Sequence, residues 1–293
     1  MIYLIKTIDN SNYLFRHFST YLFFFILGTF LPFTIYGQFA GGSGTTQDPY
    51  LIGNIQQLQA VSSASNTAHF RLINDIDASQ TATWNNGKGF EPISYQNGSL
   101  DGNNFIISNL VINRTNEDRA ALIEHIGPNC TVKDLTLENV NIRGKTRTAS
   151  LCGVLSGEIQ NVFVSGTING DDNSGGLAGE IYSGSNVSDC HTNANVMSSG
   201  STVGGLIGYN NSAIVENCSS YGSVNGKNQV GGLIGKNEGD VISSQSAAVI
   251  TGSGDNIGGL IGLNNGGDIS HSFSEGEVNG KKNTGGLIGF NGY

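Results

Sequence analysis

Gly204-Gly-Leu-Ile-Gly208, Gly231-Gly-Leu-Ile-Gly235, Gly258-Gly-Leu-Ile-Gly262 and Gly285-Gly-Leu-Ile-Gly289 decide the fold. A variant, Gly175-Gly-Leu-Ala-Gly179, precedes them, and the five starts lie 29, 27, 27 and 27 residues apart. An Asn stands six residues after the first Gly in four copies (Asn210, Asn237, Asn264 and Asn291); the Gly175 copy has Ile181 there. The middle of a unit reads apolar-x-x-polar, as in Val215-Glu-Asn-Cys218 and Ile269-Ser-His-Ser272, and Val224-Asn-Gly226 or Val278-Asn-Gly280 follows. Fainter copies occur at Gly153-Val-Leu155 and Ala121-Leu-Ile123.

Short apolar stretches between Gly, Asn and Ser are strand-length pieces with turn punctuation and no helical period. One unit cannot bury its apolar residues alone, but stacked units can, each strand pairing in parallel with its copy about 4.8 Å away. Leu then stacks on Leu and Asn on Asn, whose amides satisfy each other or the turn backbone. The paired glycines suit a corner with positive φ or a close approach of two backbones. Parallel connections are right-handed in nearly all proteins, and the period is too short for a propeller blade. The expected fold is all-β, a right-handed parallel β-helix (solenoid).

Upstream, Asn54–Ser62 places Ile55, Leu58 and Val61 on one face of a short helix with Asn54 as its cap. Strand-like His69–Ile73 and an Asp75-Ile-Asp77 turn follow. We assign 38–90 as an N-terminal helix/strand cap hiding the first rung, and 91–293 as the β-helix. Val132, Leu135, Leu137, Val140 and Ile142 suggest two successive short strands. Residues 1–37 are expected to be a signal peptide or signal anchor: Tyr21–Tyr36 is an uncharged apolar run behind Lys6, Arg16 and His17, short for a spanning helix.

Gly is 43 of 293 residues, about twice its ordinary share of roughly 7%. Charged residues are only 13%, and the net charge is −9, which excludes a basic nucleic-acid binder.

The repeats resemble those of GLUG-motif proteins. The upstream stretches Gly44-Thr-Thr-Gln-Asp-Pro-Tyr-Leu-Ile52, Phe70-Arg-Leu-Ile-Asn-Asp-Ile-Asp77 and Leu100-Asp-Gly-Asn-Asn-Phe-Ile-Ile-Ser-Asn-Leu110 are similar to what precedes such repeats. The resemblance runs from about Gly41 to the end. It implies a β-helical, exported bacterial protein, as in adhesin-like proteins and the N-terminal regions of some immunoglobulin-A-cleaving peptidases. Two departures stand out. Ala121-Leu-Ile-Glu-His125 replaces a glycine-containing copy, and the chain stops inside a repeat, so a fragment or a truncated gene is expected.

The residues offer little chemistry. His-Glu-x-x-His is absent, and none of the five His is spaced as a metal ligand. Glu124-His125 is the one adjacent acid–imidazole pair in the mature segment and reads as an exposed turn. Gly252-Ser-Gly254 and Gly184-Ser185 lie in turns, not between a strand and a helix as a nucleophile elbow requires. Acidic turns at Asp171-Asp172, Glu238-Gly-Asp240 and Gly254-Asp255 lack a calcium-roll repeat. No catalytic residue, cofactor or metal is assigned, and Trp84 is expected to pack at an edge. Cys190 and Cys218 share one repeat position; in-register side chains point the same way, so a buried thiol column is expected rather than a disulfide. The redox state of Cys130 and Cys152 is left open.

The most varied residues precede each Gly-Gly: Asp171-Asp-Asn173, Gly200-Ser-Thr202, Lys227-Asn-Gln229, Gly254-Asp-Asn256 and Lys281-Lys-Asn283. Equal spacing stacks these loops on one edge, so Asp171, Asp172, Lys227, Asp255, Lys281 and Lys282 form a candidate binding edge for glycans or cell-surface proteins. The expected protein is a non-enzymatic, secreted or cell-surface adhesin-like or spacer module, touching membrane only through its N-terminal segment before cleavage. The rivals are a carbohydrate-active enzyme on a β-helix and a detached N-terminal region of a larger secreted peptidase. A Ser, Asn and Thr face favours binding; a clustered acidic and basic groove favours catalysis.

Overall fold

The structure, a computed structural model, describes residues 38–292; the expected signal segment 1–37 lies outside them. The described chain is a parallel β-solenoid of about eight turns with very little helix, as the repeats require. One repeat shows the plan. Val203–Gly204 is a two-residue strand, Ile207–Asn211 runs along the next side, Ile214–Glu216 follows, and Ser219–Gly226 closes the coil. Each pairs in parallel with its copy one coil on: Val203 with Val230, Asn210 with Asn237, Val215 with Val241, Val224 with Ile250.

The parallel ladder starts at Tyr50–Ile52, paired with Phe70–Leu72, inside the segment 38–90. Asn54 caps a helix there, its side chain accepting from the Gln57 N–H at 2.9 Å. The α-helix spans only Ile55–Gln59 and tightens into a 3₁₀ turn over Ala60–Ser63; Ile55, Leu58 and Val61 are buried as the spacing predicts. The two short strands expected around Val132–Ile142 are one bent element, Ile123–Arg143. Asp134 and Asn139 bend it with φ of 53°. Both residue types tolerate the left-handed conformation.

The glycine motif has a more specific cause than the sequence suggested. None of the Gly-Gly pairs has positive φ; the left-handed residue is the one two places earlier, at Asn173, Thr202, Gln229, Asn256 and Asn283. Close approach explains the glycines. A Cβ on Gly231 would lie 1.9 Å from the Ile234 carbonyl oxygen, and one on Gly232 would lie 2.1 Å from both the Gly259 oxygen and the Ser246 Oγ. The second glycine therefore presses on an inward column of Thr192, Ser220, Ser246 and Ser274. This contact pinches the repeat coils into two lobes. One lobe continues the main core through Leu206, Ile207, Val215 and Cys218. The other is a separate aliphatic cluster that includes Ile168, Val196, Val203, Val224, Ile250 and Ile257.

Leu177, Leu206, Leu233 and Leu260 form the expected interior column, each fully buried. Their backbones are bonded too: the Leu206 and Ile207 N–H groups both donate to the Leu233 oxygen, at 2.9 and 3.0 Å. Leu287 departs from the expectation. It is 38% exposed, because no further described coil covers it.

The asparagine column is a continuous amide ladder. Asn210 Nδ2 donates to Asn237 Oδ1 at 2.8 Å, Asn237 to Asn264 at 2.9 Å and Asn264 to Asn291 at 2.8 Å. The second N–H of each donates to its own turn, at Ala213, Gly239 and Gly267 oxygens respectively. Asn210 has apolar Ile181 below it, so its oxygen accepts instead from the Ala213 N–H at 2.9 Å.

Two stability changes are expected. Leu233→Ala should cost about 2–5 kcal/mol in urea unfolding, the usual loss for a buried Leu. Asn237→Leu should cost about 1–3 kcal/mol, because it removes one acceptor and one donor from buried neighbours. A parent-like midpoint for either variant would place that column outside the core.

Candidate functional site: a polar groove, a loop edge and a charged ladder

The six residues of the expected edge do share one edge. Asp255 pairs in register with Lys282, and the loops are bonded up the column. Asp172 Oδ1 accepts from the Ser201 N–H at 2.6 Å, Asn228 Nδ2 donates to Ser201 Oγ at 3.1 Å, and Asn228 Oδ1 accepts from the Asp255 N–H at 2.9 Å. Asp171 accepts from Ser199 Oγ, and Lys282 pairs with Asp255 at 3.1 Å. Lys227 and Lys281 occupy the same turn position one place before Asn228 and Lys282. Beside this edge Thr146, Arg147, Asp172, Asn173, Ser201, Thr202 and Gln229 line an open hollow of about 470 Å³.

A larger hollow lies on another face and was not read from the sequence. It measures about 710 Å³ and is lined by Ser108, Asn109, Glu138, Asn139, Ser165, Gly166, Thr167, Asn193 and Asn195. Ser165 and Thr167 pair with Asn193 and Asn195, so hydroxyls and amides alternate on the outward side of adjacent strands. Gly166 has φ of 137°, and its missing side chain lets the backbone pass the Val140 carbonyl. Along the rim, Asn139 Nδ2 donates to Asn109 Oδ1 at 2.8 Å and Asn109 Nδ2 to Asp77 Oδ1 at 3.0 Å. These bonds, first that from Asn109 and then those from Ser79, hold the Asp77 carboxyl below its ordinary range. Glu138 is the one ionisable side chain in the lining. Most of the lining comes from coils before the Gly-Gly repeats, where the pattern is faint; Asn193 and Asn195 come from the first Gly-Gly unit.

The outward position after each third glycine forms the charged ladder. His125, Val154, Glu180, Tyr209 and Lys236 follow one another in register. Glu180 is 5% exposed and pairs with Arg147; that bond raises the Arg147 pKa. Glu124 takes the place of a third glycine and pairs with Arg119 at 3.1 Å. His125 Nε2 lies 3.2 Å from Ser156 Oγ, and burial, then the Arg119 charge, lowers its pKa. Glu124 is thus ion-paired with Arg119, while the His125 ring reaches Ser156 and feels the Arg119 charge as well. Further along, Glu238 joins Tyr209, Lys236 and Asn265.

Among the described residues no group of three or more His, Cys, Asp or Glu side chains is placed to hold a metal ion. Trp84 packs on Phe90, ring centroids 6.4 Å apart, against the core. All four cysteines are free and buried. Cys190 and Cys218 occupy equivalent positions before paired strands, each Sγ donating to a carbonyl two residues back at 3.1 Å. Burial pushes the Cys130 thiol up to about 11 and likewise raises those of Cys152 and Cys190 above the ordinary thiol range. Since all four thiols are buried out of a reagent's reach, Ellman's reagent should label none of them in the native protein and all four in urea. Labelling of the native chain at Cys190 or Cys218 would contradict a sealed column.

No protein-family model matches the chain. It is 40% identical over 149 residues to halomucin of Haloquadratum walsbyi, covering 48% of this chain and 2% of halomucin. It is 36% identical over 169 residues to a provisionally named Gly-rich membrane protein of Evansella cellulosilytica, covering 51% of this chain and 19% of that protein. The chain therefore spans a small part of either relative. Among solved structures it is similar to a provisionally named immunoglobulin A1 protease from Bacteroides ovatus. The TM-score is 0.70 at 23% identity, over 87% of this chain and 86% of that one. At that identity the likeness shows the fold. Among the described residues no helix is long and apolar enough to cross a membrane.

Proposed function

We propose that the chain is an exported, non-enzymatic surface module with GLUG-type repeats that binds glycans in the hollow lined by Ser165, Thr167, Asn193 and Asn195. The lining is the observation that carries this reading. Hydroxyls and carboxamides are donors and acceptors at once, which suits the hydroxyls of a sugar, and one carboxylate alone does not make the paired-carboxylate geometry of glycoside hydrolysis. The absence of an aromatic platform from the lining fits modest affinity and repetition along a polymer. The names of the relatives, halomucin and a membrane protein, support a surface setting. The name of the structural neighbour keeps the peptidase-region alternative in view.

The loop edge supports a second reading, contact with a protein surface. Lys282 and Asp255 alternate in sign up the column, so recognition there would be short-range rather than steered by one field.

The test is a glycan array and cell-surface protein pull-down with three proteins. Asn193→Ala/Asn195→Ala should weaken glycan binding about tenfold or more, the worth of one or two hydrogen bonds. The edge variant, Lys227, Asp255, Lys281 and Lys282 all changed to Ser, should bind glycans as the parent does. Equal binding by parent and groove variant removes the hollow as the site, and loss in the edge variant alone moves the site to the loops. Binding by none of the three leaves the spacer role.

A further inference from the structure

Tyr209, Lys236, Glu238 and Asn265 form a cluster on the outer side of three successive coils. Lys236 Nζ lies 2.8 Å from Glu238 Oε1 and 4.5 Å from the centre of the Tyr209 ring. Asn265 Nδ2, from the next coil, donates to the same Oε1 at 3.0 Å. The Tyr209 hydroxyl donates to Oε2 at 2.6 Å and fixes the carboxylate. The Lys236 and Glu238 side chains are 27% and 22% exposed, so most of their surface is shielded from water.

A primary amine, a carboxamide and a carboxylate bonded to both are the components of a self-catalysed amide transfer. We propose that Lys236 and Asn265 become joined by an intrachain amide bond, with Glu238 as the proton carrier. The reaction balances within the chain. Glu238 takes a proton from the Lys236 ammonium, and the freed Nζ attacks Cγ of Asn265. Glu238 then returns the proton to Nδ2 as the Cγ–Nδ2 bond breaks, and the second proton that Nζ sheds on becoming the amide nitrogen passes to the departing ammonia. The products are a secondary amide and one ammonium ion, and no oxidant or other reagent enters. The hydrogen bonds from Lys236, Tyr209 and Asn265 outweigh the effect of burial and keep Glu238 below the ordinary carboxylate range, so it starts as the base.

Asp134 offers an internal comparison. Lys133 and Asn161 also bond to it, but on opposite oxygens, and Lys133 is 41% exposed. Shared approach to one oxygen distinguishes the Glu238 cluster, although Asn265 itself is exposed, and the bond would fasten neighbouring coils where a solenoid peels under load.

A tryptic map of the full-length protein, denatured before digestion, tests this. An acylated Lys236 resists trypsin. The linked chain should lose the separate peptides 228–236 and 237–281 and yield one 228–281 peptide lighter by one ammonia. Lys236→Arg and Glu238→Gln should both abolish the ammonia loss, and Glu238→Gln should restore cleavage after Lys236. Ordinary cleavage after Lys236 in the parent overturns the proposal. So does an ammonia loss that persists in Lys236→Arg, which would mean a succinimide at Asn265-Gly266.

Discussion

Every coil of this molecule lies on its own copy, about 4.8 Å away, and that stacking constrains each residue inside. An interior side chain must tolerate a like neighbour above and below. Aliphatic groups do so through contact. An asparagine does so because its amide is both donor and acceptor, so Asn210, Asn237, Asn264 and Asn291 pass one hydrogen bond from coil to coil. A charge could not, since like charges at that spacing inside a protein repel strongly.

The same constraint explains how the core changes along the axis. The column Ile126, Leu155, Ile181 becomes Asn210 and remains Asn onward. Leu135 and Val162 give way to Cys190, Cys218, Ser244 and Ser272. Val164 gives way to Thr192 and then to Ser220, Ser246 and Ser274. Each switch exchanges aliphatic burial for small polar groups. Several of these find local partners: Thr192 Oγ1 donates to the Gly205 carbonyl and Ser244 Oγ to the Ile242 carbonyl. Smaller side chains let opposite walls of the coil meet, and the Gly-Gly strand fills the space so released. The glycines and the polar column are two halves of one contact.

These two halves were unequally legible in the sequence. The period alone determined the stacking, and stacking determined the leucine and asparagine columns down to individual partners. Close approach was one of two reasons the sequence offered for the glycines; the side-chain half of that contact was not legible, because it involves a serine about fifteen residues further along the coil that no local pattern connects to them. The other reason offered, positive φ, does not hold at the glycines: asparagine, threonine and glutamine before the motif take that conformation. The loop edge followed from equal spacing. The larger polar hollow did not, since most of it, Ser108, Glu138 and Ser165 included, comes from coils where the repeat has drifted.

Drift outside and constancy inside have one origin. An interior position answers to its own copies, so it changes only as a block, as the switch at Asn210 shows. An outward position answers to solvent and to whatever differs in the next coil. Glu180, Tyr209 and Lys236 stand at one register position in three successive coils, yet they supply a buried acid, a phenol and an amine. A solenoid assembles unlike functional groups by letting a single outward position diverge while the ladder beneath holds the spacing. The groups that meet there are neighbours across the ladder and a full coil apart in sequence, which is why Lys236 and Asn265 share one carboxylate.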